Sequence, residues 1–386
     1  MKILVVVPDS NIGGITSAAV NFCNELTRRG NQVILLDMSG RFLCAERLDT
    51  NVVRAFLKGK SQYWNLQADT LKKVKGLKKL KYAVWGIIKK ITIRSGCWYK
   101  LIFNKYQGYG EFDVAVAFRQ CDSCYSFVLN KVKAKRKMGF IHGELKYMGD
   151  ISSWERHMLK FDKIAYVSNA VKMEFISVYP ELQKNSCTIY NMFNKKQILT
   201  MAQEKNPIIF DNSIKNMVTI ARIDNAFKRI DLIPEICRYL MKQTSTKFHW
   251  YIIGDGPDRE AVQQKIDELH LENVVTLCGV KSNPYAILKE ADFSVLLSKS
   301  EAYPMTVIES LILKKPIVVT NFASVVEMIE NGKHGLIAEF SKEDLAEKIL
   351  KMLDDEDVLL ACTQFLSQYE FSNNKAYQQF LENIGD

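Results

Sequence analysis

Arg222 and Lys228 follow the apolar run Met217–Ala221 and lead into a helical pattern. Arginine offers a planar fork of donors and lysine a compact point charge, a pair suited to a diphosphate. Alone, they also fit a solvated loop and a helix-surface lysine. Glu301 and Glu309 follow the run Phe293–Leu297, with Ala-Tyr-Pro-Met-Thr-Val-Ile between them. Pro304 suits a first helical turn, which puts Glu301 in the loop and Glu309 about a turn and a half into the helix. Carboxylates there can accept hydrogen bonds from sugar or ribose hydroxyls while free N–H groups face a phosphate. Acids are also favoured at helix starts with no ligand at all.

Other features lie at the ends of apolar runs. Gly13-Gly14 follows Lys2–Val7 and precedes a helical pattern, so backbone there can approach an anion. A plain tight turn explains the pair equally well, and the full G-x-G-x-x-G pattern is absent. Gly254-Asp255-Gly256-Pro257 forms a sharp turn after Phe248–Ile253. His142 ends the run Lys137–Ile141, where an imidazole can polarise an oxygen, orient a hydroxyl or simply serve the core. The triplet Asp355–Asp357 lies in an acid-rich stretch and is not read as a metal site. Cys121 and Cys124 form a CxxC with no second pair and no nearby histidine. Zinc normally takes four ligands, so the expectation is two small buried side chains.

These residues need a scaffold that gathers strand ends. Lys2–Val7, a glycine loop, a helix over about Thr16–Arg29 and the strand Gln32–Asp37 make a parallel-sheet unit. Strand patterns return at Asp113–Phe118, Lys137–Ile141, Ile164–Val167 and Cys187–Tyr190. The polar stretch Asn194–Asn216, with Pro207 inside, reads as a linker. Beyond it, strands are predicted at Met217–Ala221, Phe248–Ile253, Val274–Leu277, Phe293–Leu297, Ile317–Val319 and Gly335–Ala338, with helical patterns between. Alternating strands and helices on both sides of a linker predict two doubly wound α/β domains. Such sheets bind ligands beyond the carboxyl ends of their strands.

Composition is that of an ordinary globular chain, 47% hydrophobic and 25% charged. The length of 386 residues suits two domains or three. Nine scattered cysteines make an odd count, which argues against a disulfide framework and fits a reducing cytosol. No signal peptide and no membrane-spanning run is expected. The net charge of +10 is concentrated: from Arg54 to Lys105 there are 14 lysines and arginines against the single acid Asp69.

Together the motifs resemble glycosyltransferase family 4, retaining enzymes of the GT-B fold with two Rossmann-like domains facing across a cleft. The resemblance is strongest over Met217–Ala338. It rests on the E-x7-E pattern Glu301–Glu309, on Arg222 with Lys228, and on Gly254–Pro257. It implies domains at 1–193 and 194–372, with a helix at 373–386 crossing back to the first; Ala376, Phe380, Leu381 and Ile384 form its apolar stripe. It implies that Arg222 and Lys228 bind the donor pyrophosphate, Glu309 the ribose and Glu301 the donor-sugar hydroxyls near the reacting carbon. By the same resemblance Gly13 and Gly14 close on the phosphates. Gly254, Tyr303, Pro304 and Met305 line the donor, His142 is the histidine of the first domain, and Asn191 is the strand-end asparagine. Glu301-Ala302-Tyr303 departs from the family's usual Glu-Gly/Ser-Phe, which leaves the donor sugar open.

The implied activity is transfer of a sugar from a nucleotide-diphosphate donor, a UDP-sugar before a GDP-sugar, to a surface-polysaccharide or lipid-linked acceptor. No metal or other cofactor is expected, since fixed cations replace it. A non-catalytic partner subunit and a sugar-nucleotide epimerase are the alternatives. The basic segment 58–105, with Trp64, Trp85 and Trp98, reads as a contact to an anionic membrane surface rather than to nucleic acid. A cytoplasmic chain held against the inner face of the membrane is the resulting expectation.

Overall fold

Strands buried on both faces of a parallel sheet must be apolar throughout, and the continuous apolar runs of this chain fold in that way. The computed structural model describes residues 1–9, 13–41, 44–57, 76–92 and 110–385, without the side chains at 77, 78 and 89–92. Its chain divides into two compact units, Met1–Phe193 with Asn373–Asp386, and Asn194–Ser372.

The first unit holds seven strands: β1 Lys2–Val7, β2 Gln32–Asp37, β3 Val53–Phe56, β4 Phe112–Ala117, β5 Ala134–Ile141, β6 Lys163–Tyr166 and β7 Ser186–Thr188. All pair in parallel, in the order β3-β2-β1-β4-β5-β6-β7. The order reverses between β1 and β4, and this switch point is where a doubly wound sheet leaves a crevice at its strand ends. Phe22, on the helix Gly14–Arg28, lies within 5.5 Å, centroid to centroid, of Phe118, Phe140 and Phe380. Phe380 belongs to the helix Asn374–Glu382, so the last helix is part of this core. Asn373, just before it, accepts from Phe193 N at 2.9 Å and donates to Phe193 O at 2.8 Å.

The second unit holds six strands: β8 Lys215–Ile220, β9 Phe248–Ile253, β10 Val275–Gly279, β11 Phe293–Leu296, β12 Ile317–Thr320 and β13 Gly335–Ala338. They too are parallel, in the order β10-β9-β8-β11-β12-β13, and the switch lies between β8 and β11. Trp250 is wholly buried at its centre and donates to Thr219 Oγ1 at 2.9 Å, so the indole N–H is satisfied inside the sheet.

Two elements differ from the sequence reading. The supposed linker contains a helix, Lys195–Met201, begun by Asn194, whose side chain accepts from Gln197 N. β3 went unread because a single one of its four residues, Ala55, is buried. Of the basic segment 58–105, residues 58–75 and 93–105 lie outside the described residues. Between them the helix Leu77–Thr92 exposes Leu80, Val84 and Ile87, spaced to share one face. No described helix is long and apolar enough to cross a membrane.

Candidate active site

The switch point of the second unit gathers the charged residues. Arg222 follows β8, and Lys228 ends the short helix Asn225–Lys228. Glu301 follows the neighbouring β11. The Lys228 ammonium is hydrogen-bonded to the Glu301 carboxylate. Ser298 donates to the same oxygen at 2.7 Å, and Ser324 donates to the Glu301 carbonyl at 3.0 Å. Lys299 N donates to Phe227 O at 2.8 Å, so backbone also joins the two loops. The Arg222 guanidinium pairs with Asp224 and leaves its side chain 64% exposed, free to turn toward an anion.

Glycine is required in the next loop for a steric reason. A Cβ at Gly254 would stand 1.9 Å from Ala221 O, and one at Gly256 would stand 2.1 Å from Ile223 O. The Gly254–Pro257 turn therefore lies directly on the backbone that flanks Arg222. Ile223 N donates to Asp255 O at 3.0 Å, Asp258 N to Ile223 O at 3.3 Å, and Asn225 N to Asp258 Oδ2 at 2.6 Å. Gly254 also has a φ of 146°, which side chains resist.

The helix Met305–Ile312 starts beside Glu301, with Pro304 at its N-cap rather than inside its first turn. Proline provides no capping side chain, so the first N–H groups of this helix can serve an anion. Tyr303 and Met305 are partly buried around it, and Pro304 is buried. Glu309 is 9% exposed, unlike a simple surface acid, and the Tyr285 hydroxyl donates to its Oε1 at 2.8 Å.

Arg222, Lys228, Gly254, Glu301, Tyr303, Pro304, Met305 and Glu309 thus all lie in the second unit, while Gly13, Gly14, His142 and Asn191 belong to the first. Gly13 is the N-cap of the helix Gly14–Arg28, and a Cβ at either glycine would meet nothing within 4 Å. Packing among the described residues does not demand glycine there; its effect is open space at a helix N-terminus. Asn191 lies three residues beyond the end of β7 at Thr188, outside any helix or strand.

His142 ends β5 with its ring 4.7 Å from that of Phe118 and stacked on Phe140. Its backbone N donates to Gln120 Oε1 at 3.2 Å. Nε2 is buried and has no hydrogen-bond partner among the described residues. Burial pushes the imidazole down to about 3, the Arg119 charge acting in the same direction and a hydrogen bond with the Phe118 backbone opposing both. His142 is therefore neutral at pH 7. Between about pH 6.5 and 3 an unfolded chain takes up a proton that the folded one refuses. Stability should fall through that window by about 1.4 kcal/mol per pH unit from this group, and be unaffected above it. An NMR titration should find His142 neutral from pH 8 to 5; a midpoint near 6.5 would contradict its burial.

The Asp355–Asp357 triplet is structural at its first residue: Asp355 caps the helix Glu356–Ser367, accepting from Val358 N at 3.1 Å. Among the described residues, no three His, Cys, Asp or Glu side chains cluster as a metal site. Asp224, Ser298 and Tyr285 escaped the sequence reading. Ser298, three residues before Glu301, could have been found as a local partner. Tyr285 comes from another helix, Pro284–Glu290, and no local spacing points to it.

Residues 202–366 match the family described as Glycosyl transferases group 1. The matched stretch contains every one of the second-unit residues above. Among curated relatives, a poly(ribitol-phosphate) alpha-N-acetylglucosaminyltransferase of Staphylococcus aureus is 30% identical over 203 residues, 50% of this chain and 40% of that protein. An N,N'-diacetylbacillosaminyl-diphospho-undecaprenol alpha-1,3-N-acetylgalactosaminyltransferase of Campylobacter jejuni is 29% identical over 287 residues, 72% of this chain and 69% of that one. The matches to the first three relatives span 40%, 55% and 58% of their lengths, about half. Among solved structures, Staphylococcus aureus TarM in complex with fondaparinux, alpha-GlcNAc-glycerol and UDP superposes with a TM-score of 0.70 at 15% identity, covering 100% of both chains. Anabaena HepE in complex with UDP and glucose gives 0.68 at 14% identity, covering 100% of this chain and 99% of that one. At these identities the likeness shows the fold alone: two parallel-sheet Rossmann-like α/β domains of GT-B type.

Proposed function

We propose that this chain is a retaining glycosyltransferase of family 4 type, moving a sugar from a nucleotide-diphosphate donor to a surface-polysaccharide or lipid-linked acceptor. The observation that carries the reading is the Lys228–Glu301 pair at the switch point between β8 and β11, where Arg222 also follows β8, within the stretch that matches the group 1 family. As the glycosyl–phosphate bond breaks, negative charge grows on the diphosphate. Lys228 and Arg222 stand ready to receive it, each meanwhile neutralised by a carboxylate. Glu301, released from Lys228, is left to hold donor-sugar hydroxyls, and Glu309, oriented by Tyr285, to hold the ribose. Gly13 and Gly14 leave backbone N–H groups clear for phosphate. Asn191 and the neutral His142 would supply hydrogen bonds to the substrates. The TarM and HepE structures above are both complexes with UDP, which favours a UDP-sugar over a GDP-sugar. Relatives acting on poly(ribitol-phosphate) and on a diphospho-undecaprenol saccharide support the acceptor class. Thermal shift with a panel of nucleotide diphosphates tests the donor site: UDP should raise the midpoint, and no shift with any nucleotide would overturn the reading.

Fixed cations at the diphosphate lead us to propose transfer without a divalent metal. Turnover should survive EDTA; complete loss, restored by Mg²⁺ or Mn²⁺, would contradict this. The chain is further proposed to sit against the inner face of the membrane through the basic segment. Leu80, Val84 and Ile87 are exposed on the helix Leu77–Thr92, with Lys79 and Lys81 exposed beside them. A basic residue near an anionic surface contributes about 1 kcal/mol. The chain should therefore sediment with phosphatidylglycerol vesicles at low salt and be released when Lys79 and Lys81 become Glu. Equal binding to neutral vesicles, or none to either, would refute the contact.

A further inference from the structure

The cysteine pair of the first unit plays no part in the proposed transfer. β4 ends at Ala117 and the helix Asp122–Lys131 begins at Asp122, which makes Cys121 its N-cap and Cys124 its third residue. Side chains at those two positions face each other, the relation that a capping box uses. Here it places two cysteines at the N-cap and the third residue of one helix start. The Cys124 thiol donates to the Val6 carbonyl at 3.2 Å.

The two sulfurs differ in the way a redox pair requires. Cys124 is buried, whereas Cys121 is partly exposed. Hydrogen bonds from Cys124, from Ser123 and from the Cys124 backbone, with the charge of Arg119, outweigh burial and bring the Cys121 thiol down to about 7. Ser123 Oγ is 3.3 Å from its sulfur. Among the other described cysteines, Cys278 alone shares intermediate exposure, and burial pushes its thiol up. A lowered, accessible thiol at a helix N-terminus with a buried second thiol at CxxC spacing is the arrangement of disulfide-exchanging proteins.

We infer that Cys121 and Cys124 form a redox-active dithiol that closes to an intramolecular disulfide by exchange with a low-molecular-weight disulfide. The Cys121 thiolate attacks one sulfur of that disulfide and expels the other half as a thiolate. Cys124 loses its proton to the solvent or to the expelled thiolate. Its sulfur then displaces the second half from Cys121. Two protein thiols are oxidised, and one small disulfide is reduced to two thiols. The pair sits beside the first unit's switch point. Gln120, which receives the His142 N–H, directly precedes Cys121, so closure tightens the loop that holds His142.

The test treats the reduced full-length chain with glutathione disulfide, blocks remaining thiols with iodoacetamide and maps the peptides. Wild type should lose both thiols, at 121 and 124, together and retain no glutathione. Cys124→Ser should hold one glutathione on Cys121, and Cys121→Ser should leave Cys124 unmodified. In the reduced protein Cys121 should alkylate roughly tenfold faster than Cys278 at pH 7. Equal rates at Cys121 and Cys278, or glutathione that stays on Cys121 in wild type, would overturn the inference. The wild-type map decides even where the buried Cys124→Ser change disturbs folding. No donor or acceptor enters the assay, so its outcome is independent of the transferase reading.

Discussion

Replacing Lys228 by alanine is expected to lower turnover by about 100- to 1,000-fold, the range for loss of one preorganised group at a developing oxyanion. The loss should fall on kcat and kcat/KM alike, because the charge that Lys228 meets on the leaving diphosphate grows as the bond breaks. Stability should fall by about 1–3 kcal/mol, since Glu301, 14% exposed, loses its cation and keeps the Ser298 hydrogen bond to that oxygen. Lys228→Arg keeps the charge but changes the reach, and should recover part of the rate. Near-normal turnover in the alanine variant, with the fold intact, would remove Lys228 from the diphosphate.

Gly254→Ala should damage both fold and turnover. Its Cβ would stand 1.9 Å from Ala221 O and 2.9 Å from Ala221 C, backbone atoms that cannot swing aside as a side chain can. The strained φ and the forced separation together should cost on the order of 3 kcal/mol, read as a lower midpoint in urea. Ala221 directly precedes Arg222, so the shift that relieves the clash also moves the guanidinium. A displacement of about 1 Å at a positioned group can cost roughly 100-fold in rate. Gly14→Ala is the contrast: open space surrounds its Cβ position, so donor affinity should fall with thermal stability unchanged. A Gly254→Ala protein as stable and active as wild type would show that the two loops are not locked together.

Most strands were legible because a parallel strand buried on both faces must be apolar along its length. β1, β2, β9 and β13 have the ends expected of them. Val53–Phe56 escaped for the opposite reason: an edge strand exposing three of four residues has no such run. The helix Lys195–Met201 escaped because its sequence, Lys-Lys-Gln-Ile-Leu-Thr-Met, buries Ile198 alone and reads as polar linker. At the site, residue type and strand-end position singled out the four charged groups. Their partners were less visible. The hold of Tyr285 on Glu309 crosses from one helix to another, and the need for glycine at 254 and 256 arises from backbone passing in another loop. The CxxC pattern was visible, but the asymmetry of its two sulfurs depends on which of them the fold covers.

The proposed reaction releases a nucleotide diphosphate as its sugar moves to a saccharide or lipid-linked acceptor. The direct measurement is nucleotide diphosphate release from a panel of UDP- and GDP-sugars, with membrane lipid extract as acceptor and Lys228→Ala beside wild type. Acceptor-dependent release of UDP from at least one UDP-sugar is expected in EDTA, with the alanine variant slower by about 100-fold or more. Absence of release with every donor, or equal release by the variant, would contradict it.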